Sequence, residues 1–122
     1  AALVDEELKR FHDLAKELEL DVLVEVHDEI ELERALSVGS DLVGVNQRDL
    51  FTFEVDHERA LRMGDLIAGS VTSVAESGVR DVADAATLAQ AGFDAVLVGE
   101  ILVTSEAPDV LVRAMTEVDL CL

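Results

Sequence analysis

Glu25, Asn46, Arg48, Glu76, Ser77, Gly78, Gly99 and Glu100 are the residues whose types and spacing could do chemistry in this sequence. Each ends, or closely follows, a short apolar run. Two carboxylates at the ends of separate runs can divide acid and base work between them. Asn46 can orient a polar group, and Arg48 can hold an anionic one. Ser77-Gly78 and Gly99-Glu100 are glycine turns, and glycine lets backbone N–H groups approach a phosphate at a helix start. Each residue also has an ordinary reading. Glu25 could be a loop carboxylate, and Asn46 a left-handed turn former. Arg48 could pair with Asp49 or a helix carboxylate, and Glu76 could open a simple strand-to-helix turn. Three polar ends in series, each after an apolar run, point to one shared site.

The apolar runs must be the elements that position these groups. They read Leu20 to Val26, Ser40 to Asn46, Ser70 to Glu76 and Phe93 to Gly99. Short β-branched runs without strict alternation predict parallel strands buried on both faces. With Glu25, Asn46 and Glu76 facing one way, period two sends Val24 and Val26 to the opposite face. Helical patterns lie between the runs. Asp5 to Leu18 carries Leu8, Phe11, Leu14, Ala15 and Leu18 on one stripe. Asp28 to Val38, Glu58 to Ile67 and Asp81 to Ala91 follow, with Gly39, Gly69 and Gly92 as their stops. Thr104 to Met115 is the last helix, with Pro108 in its first turn. Asp28, Glu29 and Glu31 favour a helix start through its dipole.

The order is α-β-α-β-α-β-α-β-α, with βαβ spacing and no linker, so residues 1–122 read as one domain. Four such units fit an open doubly wound sheet, or half of an eightfold barrel of about 250 residues. Ala1-Ala2-Leu3 resembles the end of an earlier strand. In either fold, chemistry collects at the C-terminal ends of strands.

Composition narrows the partners. Nine basic residues face 27 acidic ones, a net charge of −18. Nucleic-acid backbones and anionic membranes need cationic patches, so neither is expected as a partner. The single Cys121 allows no intrachain disulfide, which fits a reducing cytoplasm. No apolar run approaches the ~18 residues of a membrane span. His12, His27 and His57 lack metal-ligand spacing, so no metal is expected. His12 in a helix and His57 in a loop read as surface residues, and His27 reads as lying outside the site.

At the strand ends the sequence resembles the C-terminal half of the indole-3-glycerol-phosphate synthase family. The resemblance rests on Leu23-Val24-Glu25-Val26-His27-Asp28, Gly44-Val45-Asn46-Gln47-Arg48-Asp49-Leu50, Thr52-Phe53-Glu54-Val55-Asp56, Ala75-Glu76-Ser77-Gly78-Val79 and Asp94-Ala95-Val96-Leu97-Val98-Gly99-Glu100. These blocks stand in family order from about Leu3 to Met115. The resemblance implies an α/β fold: strands five to eight of a TIM (βα)8 barrel, four parallel strands with about five helices. It implies a cofactor-free cytoplasmic lyase of tryptophan biosynthesis. That enzyme closes the ring of 1-(2-carboxyphenylamino)-1-deoxyribulose 5-phosphate with loss of carbon dioxide and water. Glu25, Asn46 and Glu76 would be catalytic and Arg48 substrate-binding. Ser77, Gly78, Gly99 and Glu100 would bind the phosphate.

Two departures stand out. Ile101 takes a position where the family has a small residue, and a β-branched side chain there could crowd the phosphate. The family also carries its catalytic lysines on earlier strands, whereas this chain has only Lys9 and Lys16, both on the first helix. The chain therefore reads as a C-terminal fragment, inactive alone, whose partner would be an N-terminal half-barrel or a second copy. Two other readings stay open: another phosphate-binding barrel enzyme, or a non-catalytic half-barrel assembly unit. A receiver-type signalling module fits the length but needs a late lysine, and none follows Lys16.

Overall fold

The computed structural model describes residues 2–49, 52, 54–67 and 69–118. Its order is α1 (Asp5–Glu17), β1 (Val24–Val26), α2 (Glu29–Ser37), β2 (Leu42–Asn46), α3 (His57–Leu66), β3 (Thr72–Glu76), α4 (Val82–Gln90), β4 (Ala95–Leu97), α5 (Glu100–Thr104) and α6 (Pro108–Thr116). The expected last helix is α6, which starts later than Thr104 and has Pro108 in its first turn, and a short α5 after β4 precedes it that the sequence reading did not give. Ala2 and Leu3 are not in a strand; the Leu3 carbonyl accepts from Arg34 Nη2 at 2.6 Å. Ala1, Leu50, Phe53 and Cys121, which figured in the sequence reading, lie outside the described residues.

Three helices start on aspartate caps. Asp28, Asp56 and Asp81 each accept the backbone N–H three residues on, at 2.8 to 2.9 Å. Each cap satisfies one of the N–H groups that a helix start leaves unpaired. Gly39 and Gly92 end α2 and α4 with left-handed φ values of 83° and 95°. Gly69 does not play that part. The helix before it stops at Leu66, because Ile67 turns extended and packs on the core.

All four strands are parallel and lie in the order β1-β2-β3-β4. Val24, Val26, Val43, Val45 and Ala75 point to one face, where they form a buried core with Leu32, Ala35, Ala60, Met63, Ala85 and Leu88 of the helices. Leu23, Glu25, Thr72 and Leu97 point to the other face and are exposed. A doubly wound sheet reverses its strand order at a switch point, and this one does not. Sequential parallel order with helices on one face is the arc of a βα barrel. The facing expected for Glu25, Asn46 and Glu76 therefore holds.

Along α1 the outcome differs from the expected apolar stripe. Phe11, Leu14 and Leu18 are exposed, while His12, read as a surface residue, is 6% exposed. Of the expected stripe Leu8 and Ala15 are partly buried, and His12 between them takes the place of Phe11, Leu14 and Leu18.

One close approach tests the packing. A Cβ on Gly64 of α3 would stand 2.7 Å from the Ala91 carbonyl oxygen and 3.0 Å from Phe93 Cε2. Alanine there would gain about 1 kcal/mol of helix propensity. Overpacking costs about 1–3 kcal/mol, and backbone is what the methyl meets. Gly64→Ala is therefore expected to lower the thermal unfolding midpoint. A raised midpoint would contradict this packing.

Candidate active site

The strand ends bring the sequence-predicted residues around one mouth. A cavity of about 840 Å³ is lined by Glu25, Asn46, Arg48, Glu76, Ser77, Gly78, Gly99 and Glu100, together with His57 and Ile101. Register explains the assembly. Asn46 pairs with Glu76 and Glu76 with Leu97, while Glu25 sits beside Gly44 one step lower.

Two carboxyls dominate the floor. Glu25 is 45% exposed in its side chain, and Asn46 Nδ2 donates to its Oε1 at 3.4 Å. Glu76 is only 4% exposed. With both carboxyls ionised, Glu76 Oε1 has no hydrogen-bond donor among the described residues. Burial pushes the Glu76 carboxyl up to about 7, helped by a hydrogen bond shared with Glu25 and by the Glu25 charge. Near pH 7 the Glu76 carboxyl is thus about half protonated.

His27 was expected to lie outside the site, and it is not among the residues that line the cavity, although it touches Glu25. Its Nε2 stands 3.3 Å from Glu25 Oε1, and its Nδ1 lies 3.1 Å from Glu31 Oε2. A histidine two residues beyond a strand-end carboxylate returns to the same face, and that spacing was the available signal.

The rim is built by the chain leaving β2. Arg48 bridges Val55 in antiparallel fashion, Asp49 N–H donates to the Glu54 carbonyl at 2.8 Å, and Asp56 N–H donates to the Gln47 carbonyl at 2.9 Å. Gln47, to which the sequence reading gave no role, is fully buried. Its Nε2 donates to the Ser77 carbonyl at 2.9 Å, and its Oε1 lies 2.8 Å from His57 Nδ1. With the amide nitrogen committed to a carbonyl, Oε1 must accept, so His57 carries its hydrogen on Nδ1. His57 is accordingly the half-buried first residue of α3 and not a free loop side chain.

Ser77 and Gly78 follow with left-handed φ values of 63° and 69°. Two such residues in sequence form a turn whose N–H groups can line an anion-binding hollow. A Cβ on Gly78 would fall 2.4 Å from Val55 Cγ1, so the rim hairpin is docked directly on the turn. Arg48 pairs with a helix carboxylate, one of its ordinary readings: Glu100 at the start of α5. Its N–H donates to Asn46 Oδ1 at 3.0 Å, and its Nη2 donates to Glu100 Oε2 at 3.3 Å. Gly99 precedes α5, with Ile101 in its first turn. The two lysines are engaged elsewhere: Lys9 with Asp13 at 2.6 Å, and Lys16 with Asp41 at 2.9 Å, at the end of β2 remote from Asn46. Among the described residues no group of three or more His, Cys, Asp or Glu could hold a metal.

The elevated Glu76 carboxyl makes stability depend on pH in a defined direction. Between its ordinary value of 4.5 and about 7, the folded chain holds a proton that the unfolded chain has released. Stability from this group is therefore complete below that window and is lost as pH rises through it. The unfolding midpoint should fall from pH 5 to pH 8, and Glu76→Gln should flatten that fall. An equal fall in both proteins would remove Glu76 as its source.

Residues 1–115 match the family model for indole-3-glycerol phosphate synthase. The chain is 47% identical over 119 residues to the indole-3-glycerol phosphate synthase of a Nocardioides species, covering 98% of this chain and 46% of that protein. It is 44% identical over 115 residues to that of Koribacter versatilis, covering 94% and 44%. The chain thus spans less than half the length of these curated relatives and corresponds to their C-terminal portion. A structure of mandelate oxidase with benzoyl-formic acid superposes with a TM-score of 0.71 at 18% identity, covering 97% of this chain and 38% of that one, a likeness of fold alone. The four units are the C-terminal half of a TIM (βα)8 barrel, and the chain belongs to the indole-3-glycerol phosphate synthase family.

Proposed function

We propose that residues 1–122 form one partial barrel domain that carries the carboxyl pair and the phosphate cradle of an indole-3-glycerol phosphate synthase. The single observation that supports this most is the shared cavity: Glu25, Asn46 and Glu76 line it together with the Ser77-Gly78 turn. A substrate with a reacting centre at one end and a phosphate at the other fits that arrangement.

In the reaction, the aromatic carbon bearing the carboxylate attacks the ribulose carbonyl carbon, and the carbonyl oxygen takes a proton. The carboxylate leaves as carbon dioxide, and its electrons restore the aromatic ring. The new hydroxyl is then protonated and leaves as water while the neighbouring methylene carbon, the one bonded to nitrogen, gives up a proton to form the indole double bond. Glu25 is the exposed member of the pair and accepts that methylene proton. Glu76, its carboxyl raised to about 7, is partly protonated near neutrality, so a donor stands beside the acceptor. Asn46, aligned by the Arg48 N–H, orients the sugar portion. Arg48 leaves Glu100 to meet the substrate. The Ser77 and Gly78 turn, with the N–H groups of Gly99 and Glu100, holds the phosphate against the overall charge of −18. Protonation of the carbonyl needs a cationic acid, and both lysines are tied to carboxylates away from the cavity. We assign that acid to the preceding half-barrel, which is the natural partner for the β1 and β4 edges.

The reaction belongs in the cytoplasm on this reading, with neither nucleic acid nor membrane as partner. Among the described residues no helix is long and apolar enough to cross a membrane.

The test is complementation with the N-terminal half of the Nocardioides enzyme, following formation of indole-3-glycerol phosphate. The chain alone should turn over nothing, and the mixture should be active. Normal turnover by the chain alone would overturn the division of labour. A mixture that stays inactive until Ile101→Gly is introduced would place the fault at the phosphate loop.

A further inference from the structure

The carboxyl pair joins residues two strands apart. Glu25 is on β1 and Glu76 on β3, with β2 between them. Neighbouring strands lie about 4.8 Å apart, so the two backbones are separated by nearly ~10 Å. For the side chains to meet, Glu76 must lie across β2. The interior-facing residues of β2 are Leu42, Gly44 and Asn46. Gly44 is the register partner of Glu25 on one side and of Val74 on the other.

A Cβ built on Gly44 would stand 1.7 Å from Glu76 Oε1, 2.7 Å from Glu76 Cδ and 3.3 Å from Leu23 Cδ1. The Glu76 carboxyl therefore fills the volume that any other residue's side chain would take. Gly44 has no left-handed φ, so backbone freedom does not explain glycine here. Glycine inside a strand is otherwise unfavourable, and it commonly marks a close approach.

We propose that Gly44 is a positioning residue for the active site: its missing side chain opens the lane across β2 through which the Glu76 carboxyl reaches Glu25. The functional consequence rests on the synthase reading above, but the placement of the carboxyl does not. A methyl at position 44 meets the free end of a flexible side chain, so the fold absorbs it and the pair does not. With Leu23 Cδ1 closing one side, the carboxyl must swing up toward the cavity mouth, away from Glu25 and into solvent. The titratable groups beside it on this face are Glu25 and, beyond Glu25, His27; Asn46 and Leu97 carry no charge.

The experiment is a carboxyl ¹³C NMR titration of the chain with labelled glutamate, comparing the parent protein with Gly44→Ala. In the parent, the Glu76 signal should titrate near 7. In Gly44→Ala its midpoint should drop toward the ordinary carboxylate range, a loss of about tenfold or more in proton affinity, with the unfolding midpoint little changed. An unchanged Glu76 midpoint in folded Gly44→Ala overturns the proposal. If Gly44→Ala does not fold, Gly44→Ala combined with Glu76→Ala decides: recovery of folding supports the steric lane, and continued unfolding refutes it. Because no substrate is involved, the outcome stands whether or not the complemented enzyme proves to be a synthase. In that enzyme, Gly44→Ala should lower kcat with KM nearly unchanged, and should have little further effect once Glu76 is Gln.

Discussion

Glu25→Gln in the complemented enzyme is expected to reduce kcat by about 10²- to 10⁴-fold, the usual worth of a positioned proton-transfer group. The substitution keeps shape and removes charge. Asn46 Nδ2 loses its charged acceptor, which stands at 3.4 Å in the parent. The effect should spread to Glu76, because two of the three causes holding that carboxyl near 7 come from Glu25. In Glu25→Gln the Glu76 midpoint should therefore move down, although burial keeps it above an ordinary carboxylate. Steady-state kinetics across pH reads both effects. A loss below about tenfold, with an unmoved profile, would remove Glu25 from the proton-transfer role.

Gly78→Ala should have the second large effect, on phosphate binding. Two causes act together. The residue has φ of 69°, where a side chain strains the backbone by about 1–3 kcal/mol. The new methyl also falls 2.4 Å from Val55 Cγ1. The turn and the rim hairpin must separate, and the N–H groups facing the phosphate lose their alignment. Affinity for inorganic phosphate should fall on the order of 100-fold, equivalent to roughly 2.7 kcal/mol. Adding Val55→Ala relieves the contact but not the backbone strain, so it should recover only part of the affinity. Calorimetric titration distinguishes the two causes. Full retention of phosphate binding in Gly78→Ala would show that the turn is not the cradle.

Much of this arrangement is legible in the sequence, for reasons that can be named. Apolar runs that end in Glu25, Asn46 and Glu76 fix both the strands and their facing, because strand periodicity leaves no other choice. The aspartates at 28 and 81 mark helix starts because their side chains substitute for missing helical bonds. The rest depends on what packs across the chain. Leu8 and Ala15 are on the expected stripe of α1, but nothing local says that His12, and not Phe11 and Leu14, is buried with them. Gln47 is an unremarkable polar residue until the chain turns back through Asp56 and puts Ser77 and His57 at its two ends. Gly44 reads as one more glycine in a strand, and its role emerges only once Glu76 is laid over it. The Gln47 side chain and Gly44 each meet a partner at least ten positions away, which local pattern cannot supply.

Everything turns on whether the carboxyl end and the glycine-turn end of the cavity serve one molecule. Indole-3-glycerol phosphate, the proposed product, spans both. In a chemical-shift titration with it, the Gly78 amide, the Asn46 side-chain amide and the Glu25 carboxyl should move along a single saturation curve. Movement of Gly78 alone, or of the two ends with separate affinities, would contradict a shared site.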